Sequence, residues 1–141
     1  MAKQVFINFP VMDLEASTKF YEALGFTKNS MFSDENASAM TWSDDIVFML
    51  LTRDFYQKFL NGKTIAHTLT SSAALIALTL ESREAVQQFA DIAKANGGDY
   101  FVAEPNKDLD FMFGLEVSDP DGNTLEPVWM DPNFDPNGTS A

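Results

Sequence analysis

The 141-residue chain contains no cysteine and a single histidine, His67. The missing cysteine excludes disulfides, thiolate metal sites and a cysteine nucleophile. Positive charge is also scarce: 9 Lys and Arg stand against 21 Asp and Glu, a formal net charge of −12. Such a surface repels nucleic-acid phosphate and anionic membranes, so neither is expected as a partner. No apolar run approaches the roughly 20 residues of a membrane span. The opening MAKQVFINF holds no apolar signal core, and the expected location is the cytoplasm. Asn36-Ala37-Ser38 has the form of a glycosylation acceptor, which carries no weight without secretion.

What is present is apolar mass. The chain is 45% hydrophobic and includes 13 Phe, two Trp, three Tyr and seven Met. That is enough for one well-buried domain and too little for two independent ones. Val5–Val11 (VFINFPV) reads as a strand. Asp13 follows as a helix N-cap, with Leu14, Ser17, Phe20, Tyr21 and Leu24 at helical spacing and Gly25 as the stop. Phe26–Phe32, Ala37–Trp42 and Ile46–Thr52 read as three strands, and Asp54–Leu60 as a short helix. After a polar connection the pattern begins again. Ala74–Leu80 is a strand, Ser82 an N-cap, and Val86, Phe89, Ala90 and Ala93 an apolar helix face. Gly97-Gly98 end that helix. Strands Asp99–Ala103, Phe111–Val117 and Thr124–Met130 follow, the last two joined by the tight turn Ser118–Asn123.

The two halves align as a weak repeat: Val5–Val11 on Ala74–Leu80, Phe20 on Phe89, Gly25 on Gly97 or Gly98. A unit of about 70 residues that ends on a sheet edge cannot bury its own face, and pairing two such units solves that problem. The fold class read from this pattern is α+β, two paired βαβββ modules. Module one spans residues 3–60, a linker 61–73, module two 74–131 and a polar tail 132–141.

Three stretches carry a family resemblance. Pro10–Phe26 (PVMDLEASTKFYEALGF) resembles the first strand-to-helix signature of the vicinal-oxygen-chelate superfamily, the glyoxalase/bleomycin-resistance/dioxygenase proteins. Leu75–Gly98 resembles the start of its second module, and Val117–Pro132 (VSDPDGNTLEPVWMDP) its terminal hairpin. The Trp-Met-Asp-Pro ending looks like a glyoxalase-like branch of that superfamily. The resemblance implies that the modules form a curved mixed sheet around a cavity, with the ligand on the concave face, and that modules pair across a homodimer. In metal-dependent members, one side chain from the first and last strand of each module meets there, usually His, Gln or Glu. Transferred here, those positions fall on Phe6, on Leu50 (Met49 if the register slips by one), on Leu75 and on Glu126. Only Glu126 can bind a metal. A protein-held divalent ion needs roughly three or more N, O or S donors, so no metal or other cofactor is expected.

Glu126 is therefore the one candidate catalytic residue, a carboxyl that burial would tune toward acid/base work. A structural role, bonding to a neighbouring strand or water, is the alternative. The expected cavity lining is Phe6, Asn8, Phe48, Leu50, Leu75, Thr79, Phe113 and Glu126. His67 lies in the linker, either near the cavity mouth or simply solvated. The SDPDGN turn resembles a calcium loop only superficially, since its spacing is wrong. Two functions compete. One is metal-independent binding of a small molecule, as in antibiotic-sequestering members of the superfamily. The other is a lyase, isomerase or related enzyme using Glu126 or a non-standard metal site. Extradiol dioxygenase chemistry needs two His and a carboxylate on iron, and one histidine per chain excludes it within a subunit.

Overall fold

A computed structural model describes residues 2–135 and 137. In module one, β1 (Val5–Val11) leads into α1 (Leu14–Ala23), followed by β2 (Thr27–Asn29), β3 (Ala37–Ser43) and β4 (Ile46–Thr52). A short helix, α2 (Arg53–Gln57), opens the connection. Module two repeats the plan: β5 (Leu75–Thr79), α3 (Arg83–Ala95), β6 (Asp99–Phe101), β7 (Met112–Gly114), β8 (Glu116–Ser118) and β9 (Thr124–Met130). The sheet orders correspond. One is β1-β4-β3-β2 and the other β5-β9-β8-β6, with β7 also on β9. In each, the first and last strands pair in parallel and the rest antiparallel. The α+β paired-βαβββ architecture is thus present, with the sheet in two pieces, one per module.

The anticipated caps operate. Asp13 Oδ1 accepts from the Ala16 N–H at 3.0 Å, and Ser82 Oγ from the Ala85 N–H at 3.0 Å. Each satisfies a donor that the first helical turn leaves without a partner. Several element boundaries differ from expectation, among them the strand expected over Asp99–Ala103, which ends at Phe101. The strand expected over Phe26–Phe32 stops at Asn29, whose side chain accepts from the Met31 N–H at 3.1 Å and starts a 3₁₀ turn. The helix expected over Asp54–Leu60 occupies Arg53–Gln57 instead, because Thr52 caps it at the Phe55 N–H. The strand expected over Phe111–Val117 is split at Leu115. There the Leu115 N–H donates to the Pro127 carbonyl at 3.2 Å, but proline has no N–H to return the bond. The tail reading, 132–141, falls partly outside the described residues.

Helices α1 and α3 lie on one side of the sheets, and the core forms there. Phe9, Phe20, Tyr21, Phe26, Phe48 and Phe89 are each no more than 8% exposed and belong to one cluster with Leu78, Val86, Leu115 and Leu125. Edge-on ring contacts run through it: Phe9–Phe48 at 5.4 Å, Tyr21–Phe26 at 5.2 Å and Tyr21–Phe48 at 5.8 Å between centroids. Residues of both modules share this core, so neither half buries its apolar face alone. Gly98 sits where a Cβ would overlap the Ser118 carbonyl and lie 2.9 Å from the Phe20 ring, so the helix end and the sheet approach more closely than any side chain allows.

Candidate functional site

With the helices on one side, the opposite sheet faces are left open. Strand alternation decides what they display. On β1, Phe6 and Asn8 point to the open face, and their β4 partners are Val47 and Met49. On β5, Leu75, Ala77 and Thr79 do so, opposite Thr124, Glu126 and Val128 of β9. Phe6 is 53% and Leu75 57% exposed, large apolar side chains standing on the open face of the edge strands β1 and β5.

Three depressions follow these faces. A groove of about 690 Å³ on module one is lined by Phe6, Asn8, Phe32, Ala39, Val47 and Met49 among others. A cleft of about 390 Å³ on module two is lined by Ser72, Leu75, Phe101, Glu116, Thr124 and Glu126 among others. Between them, where edge strands β1 and β5 face each other, lies a hollow of about 220 Å³. Asn8 borders both the groove and the hollow, while Ser72 and Thr124 border both the hollow and the cleft. The three therefore form one trough across the chain, with Gln4, Asn29, Thr41 and Asp44 among the apolar side chains at the module-one end and two glutamates, Glu116 and Glu126, at the other.

The acidic end holds a residue that sequence reasoning did not single out. Strands β8 and β9 pair with Val117 opposite Leu125 and Ser118 opposite Thr124. The same register sets Glu116 opposite Glu126. Glu116 is buried, at 7% exposure. Burial, then the hydrogen bond and the charge of the Glu126 carboxyl beside it, push its pKa up from 4.5 to about 7. Two carboxyls this close share a proton more readily than both ionise. The hairpin turn of residues 118–123 was the available signal: once it is read as a tight turn, residues equidistant from it must pair.

Other expected positions separate cleanly. Phe6, Asn8, Leu75 and Glu126 line the trough. Thr79 shares its face but is not among the residues lining the cleft. Leu50 and Phe48 do not reach it. Both are fully buried on the helix side, because β1 residues Phe9 and Ile7 pair with them and point the same way. The trough position on β4 is Met49, the one-residue alternative. Phe113 is likewise on the helix side, paired with Trp129 beneath Arg83 of α3, whose guanidinium carbon lies 5.7 Å and 4.9 Å from the two ring centroids. His67 is exposed and borders a separate depression with Asp13, Arg53 and Asp121.

On the open face, the four positions at which the resemblance implies ligands are occupied by Phe6, Met49, Leu75 and Glu126. One carboxylate, a weakly donating thioether and two hydrocarbon side chains do not fit a protein-held divalent ion. Glu116 adds a second carboxyl, and among the described residues no three His, Cys, Asp or Glu side chains converge.

The Ser118–Asn123 turn is structural. Asp119 accepts from the Tyr21 hydroxyl at 2.7 Å, from the Asp121 and Asn123 N–H groups at 2.9 Å and from Asn123 Nδ2 at 3.0 Å. Asp121 accepts from the Met12 N–H at 2.9 Å and from Ser17 Oγ at 3.2 Å, and its carbonyl from Thr68 Oγ1. Every acceptor faces a protein donor, which leaves no coordination sphere for calcium.

Comparison with known proteins agrees with this geometry. Residues 3–41 match the model of the bleomycin resistance protein-like N-terminal family. No curated protein matches in sequence. Among solved structures, a glyoxalase/bleomycin resistance protein/dioxygenase family enzyme from Burkholderia phytofirmans is similar with a TM-score of 0.74 at 16% identity, over 92% of this chain and 99% of that one. A hypothetical protein from S. aureus is similar at 0.71 and 22% identity, over 92% and 94% of the two chains. A glyoxalase/bleomycin resistance protein/dioxygenase from Nocardioides is similar at 0.69 and 17% identity, over 100% and 91%. Among the described residues no helix is long and apolar enough to cross a membrane. The paired modules and the likeness along the whole chain show that this protein shares the fold of the glyoxalase/bleomycin resistance/dioxygenase structures, with residues 3–41 similar to the bleomycin resistance protein-like N-terminal family.

Proposed function

We propose that this protein binds a small molecule without a metal, in the manner of the resistance and sequestration members of its superfamily. The observation that carries this reading is the continuous trough. Its lining is largely apolar, its volume suits a drug-sized ligand, and three of its four inherited ligand positions cannot hold an ion strongly. Phe6, Phe32, Leu75 and Phe101, all more than half exposed, flank it. A second copy of the chain, roofing the trough as a homodimer, would cover that apolar surface and enclose the ligand.

The test is a thermal-shift screen of apolar and cationic compounds on the purified protein in the presence of a chelator. The expected result is one or more stabilising ligands whose effect the chelator does not change. Stoichiometric Zn, Ni, Fe or Mn in the purified protein, or stabilisation that appears only when metal is restored, would overturn the reading.

One observation favours a second reading. Glu116, its pKa raised to about 7 beside Glu126, supplies a proton-exchanging pair at the pH of the cell. Such a pair suits metal-free acid/base catalysis. Under this reading Glu126→Gln abolishes turnover of a substrate found in the screen; unchanged turnover rejects it.

A further inference from the structure

The dipeptide Asn-Gly occurs at 61–62, 96–97 and 137–138. The last falls partly outside the described residues, and the other two have opposite surroundings. At 96–97 the pair ends α3. The Asn96 N–H donates to the Ala93 carbonyl at 3.1 Å, and its Nδ2 donates to the Ile92 carbonyl at 2.8 Å. That side chain is tied to the helix. Asn61 has no such tie. Asn61 and Gly62 are exposed, with φ +48° and +87°, and the Lys63 N–H closes over them onto the Leu60 carbonyl at 3.1 Å. Two left-handed central residues are the pattern of a type I′ turn. Neither the Asn61 carboxamide nor the Gly62 N–H makes a hydrogen bond to a described residue. Nothing lies within 4 Å of where a Cβ on Gly62 would stand, so the nitrogen beside it is open.

We propose that Asn61 is a site of spontaneous covalent modification, deamidating through its own backbone with water as the co-reactant. The Gly62 nitrogen gives its proton to solvent base and bonds to Cγ of Asn61. The Cγ–Nδ2 bond breaks, and the amide nitrogen leaves as ammonia after taking a proton from water. Water then opens the resulting succinimide ring at either carbonyl. One opening gives aspartate. The other gives isoaspartate, in which the main chain runs through the side-chain carbons. Net, one water is consumed and one ammonia released, and nothing is oxidised or reduced. Ring closure requires the carboxamide to swing onto the following nitrogen. The Asn61 side chain can change rotamer without losing a bond, whereas Asn96 must first give up Ile92. Position gives the change a consequence. The turn heads the connection between the modules, and Gln57 Nε2 fastens it by donating to the Lys63 carbonyl at 2.7 Å. Farther along the same connection, Ala66, Thr68 and Ser72 wall the hollow between the modules. Isoaspartate at position 61 adds a main-chain carbon to the segment that forms this wall, and either product adds a negative charge.

The experiment holds the intact protein at pH 8 and, in parallel, at pH 5, then digests it briefly with trypsin. Cleavage after Lys58 and Lys63 isolates Asn61 in the peptide 59–63, and cleavage after Lys94 and Lys107 isolates Asn96 in 95–107. Mass spectrometry follows conversion of amide to acid in each. The expected result is conversion of 59–63 at least tenfold faster than 95–107, faster at pH 8 than at pH 5, with isoaspartate as the main product. Holding the protein unfolded in urea should bring the two rates within threefold, because it frees Asn96. Gly62→Ala, first shown to melt cooperatively, should slow conversion of Asn61 at least tenfold, since a Cβ on the attacking residue crowds the ring. Equal rates in the folded protein, faster conversion at Asn96, or a native rate in Gly62→Ala would each overturn the assignment.

Discussion

The Tyr21 hydroxyl donates to Asp119 Oδ2 at 2.7 Å, joining the helix of the first module to the terminal hairpin of the second. Both residues are buried, and the phenol's pKa is raised well above 10, by burial first and then by the Asp119 charge. The tyrosine is therefore a neutral donor at every physiological pH. Tyr21→Phe should cost about 1–3 kcal/mol, the usual loss when one partner of a buried hydrogen bond is removed. Asp119→Ala should cost more, because it also strands the N–H groups of Asp121 and Asn123. Urea unfolding of the two variants checks the order. An unchanged midpoint for Tyr21→Phe would show that the bond adds nothing to module pairing.

Gly122 tightens the same junction. Its φ is +87°, and a Cβ there would overlap the Thr68 carbonyl. Gly25, at φ +105°, has nothing within 4 Å of a built Cβ. Gly25→Ala should thus lose only the backbone term, of order 1 kcal/mol. Gly122→Ala should lose more, because the linker must also move away from the turn. Thermal melts of the pair separate the two contributions. Equal losses would mean that the linker yields freely.

Local chemistry made much of this fold legible in advance. Asp13 and Ser82 announce their helices because a cap needs only a short side chain at one place. The ends of β1, β4 and β9 follow from β-rich runs between turn residues. What failed was sidedness. Leu50 was expected in the cavity and Met49 kept as the alternative, since a single-residue slip exchanges the faces of a strand. Both residues are apolar, so composition could not choose. Phe48 and Phe113 were misplaced for the same reason: aromatic side chains suit a core and a pocket equally. Glu116 was missed because its meaning depends on Glu126, ten positions away in sequence, and that relation exists only after the hairpin register is set.

The exposed trough walls predict association. Light scattering should give twice the 15.7 kDa of one chain, and a charge placed on the wall, as in Phe6→Asp or Leu75→Asp, should reduce that mass to the monomer's. Both side chains already face water in the single chain, so neither change removes core packing. The circular dichroism spectrum should therefore stay native. A native protein that remains monomeric at high concentration would reject the dimer, and so would a Leu75→Asp variant that keeps its doubled mass.

The carboxyl pair predicts how stability varies with pH. The folded-state pKa of Glu116, about 7, lies above its ordinary 4.5. Folding therefore favours the protonated form. The stabilising contribution is complete below the unfolded value of 4.5 and disappears as pH rises through about 7. Asp119 moves the same way, raised chiefly by burial. Glu116→Gln keeps the shape of the protonated acid and removes the titration. Its melting temperature should match that of the native chain at pH 5 and exceed it at pH 8, the gap opening between those limits. Glu126→Gln should weaken the same dependence only in part, because burial, the largest cause of the shift, remains when the neighbouring carboxyl is gone. A gap that widens toward acid instead would mean that the fold stabilises Glu116 as a carboxylate.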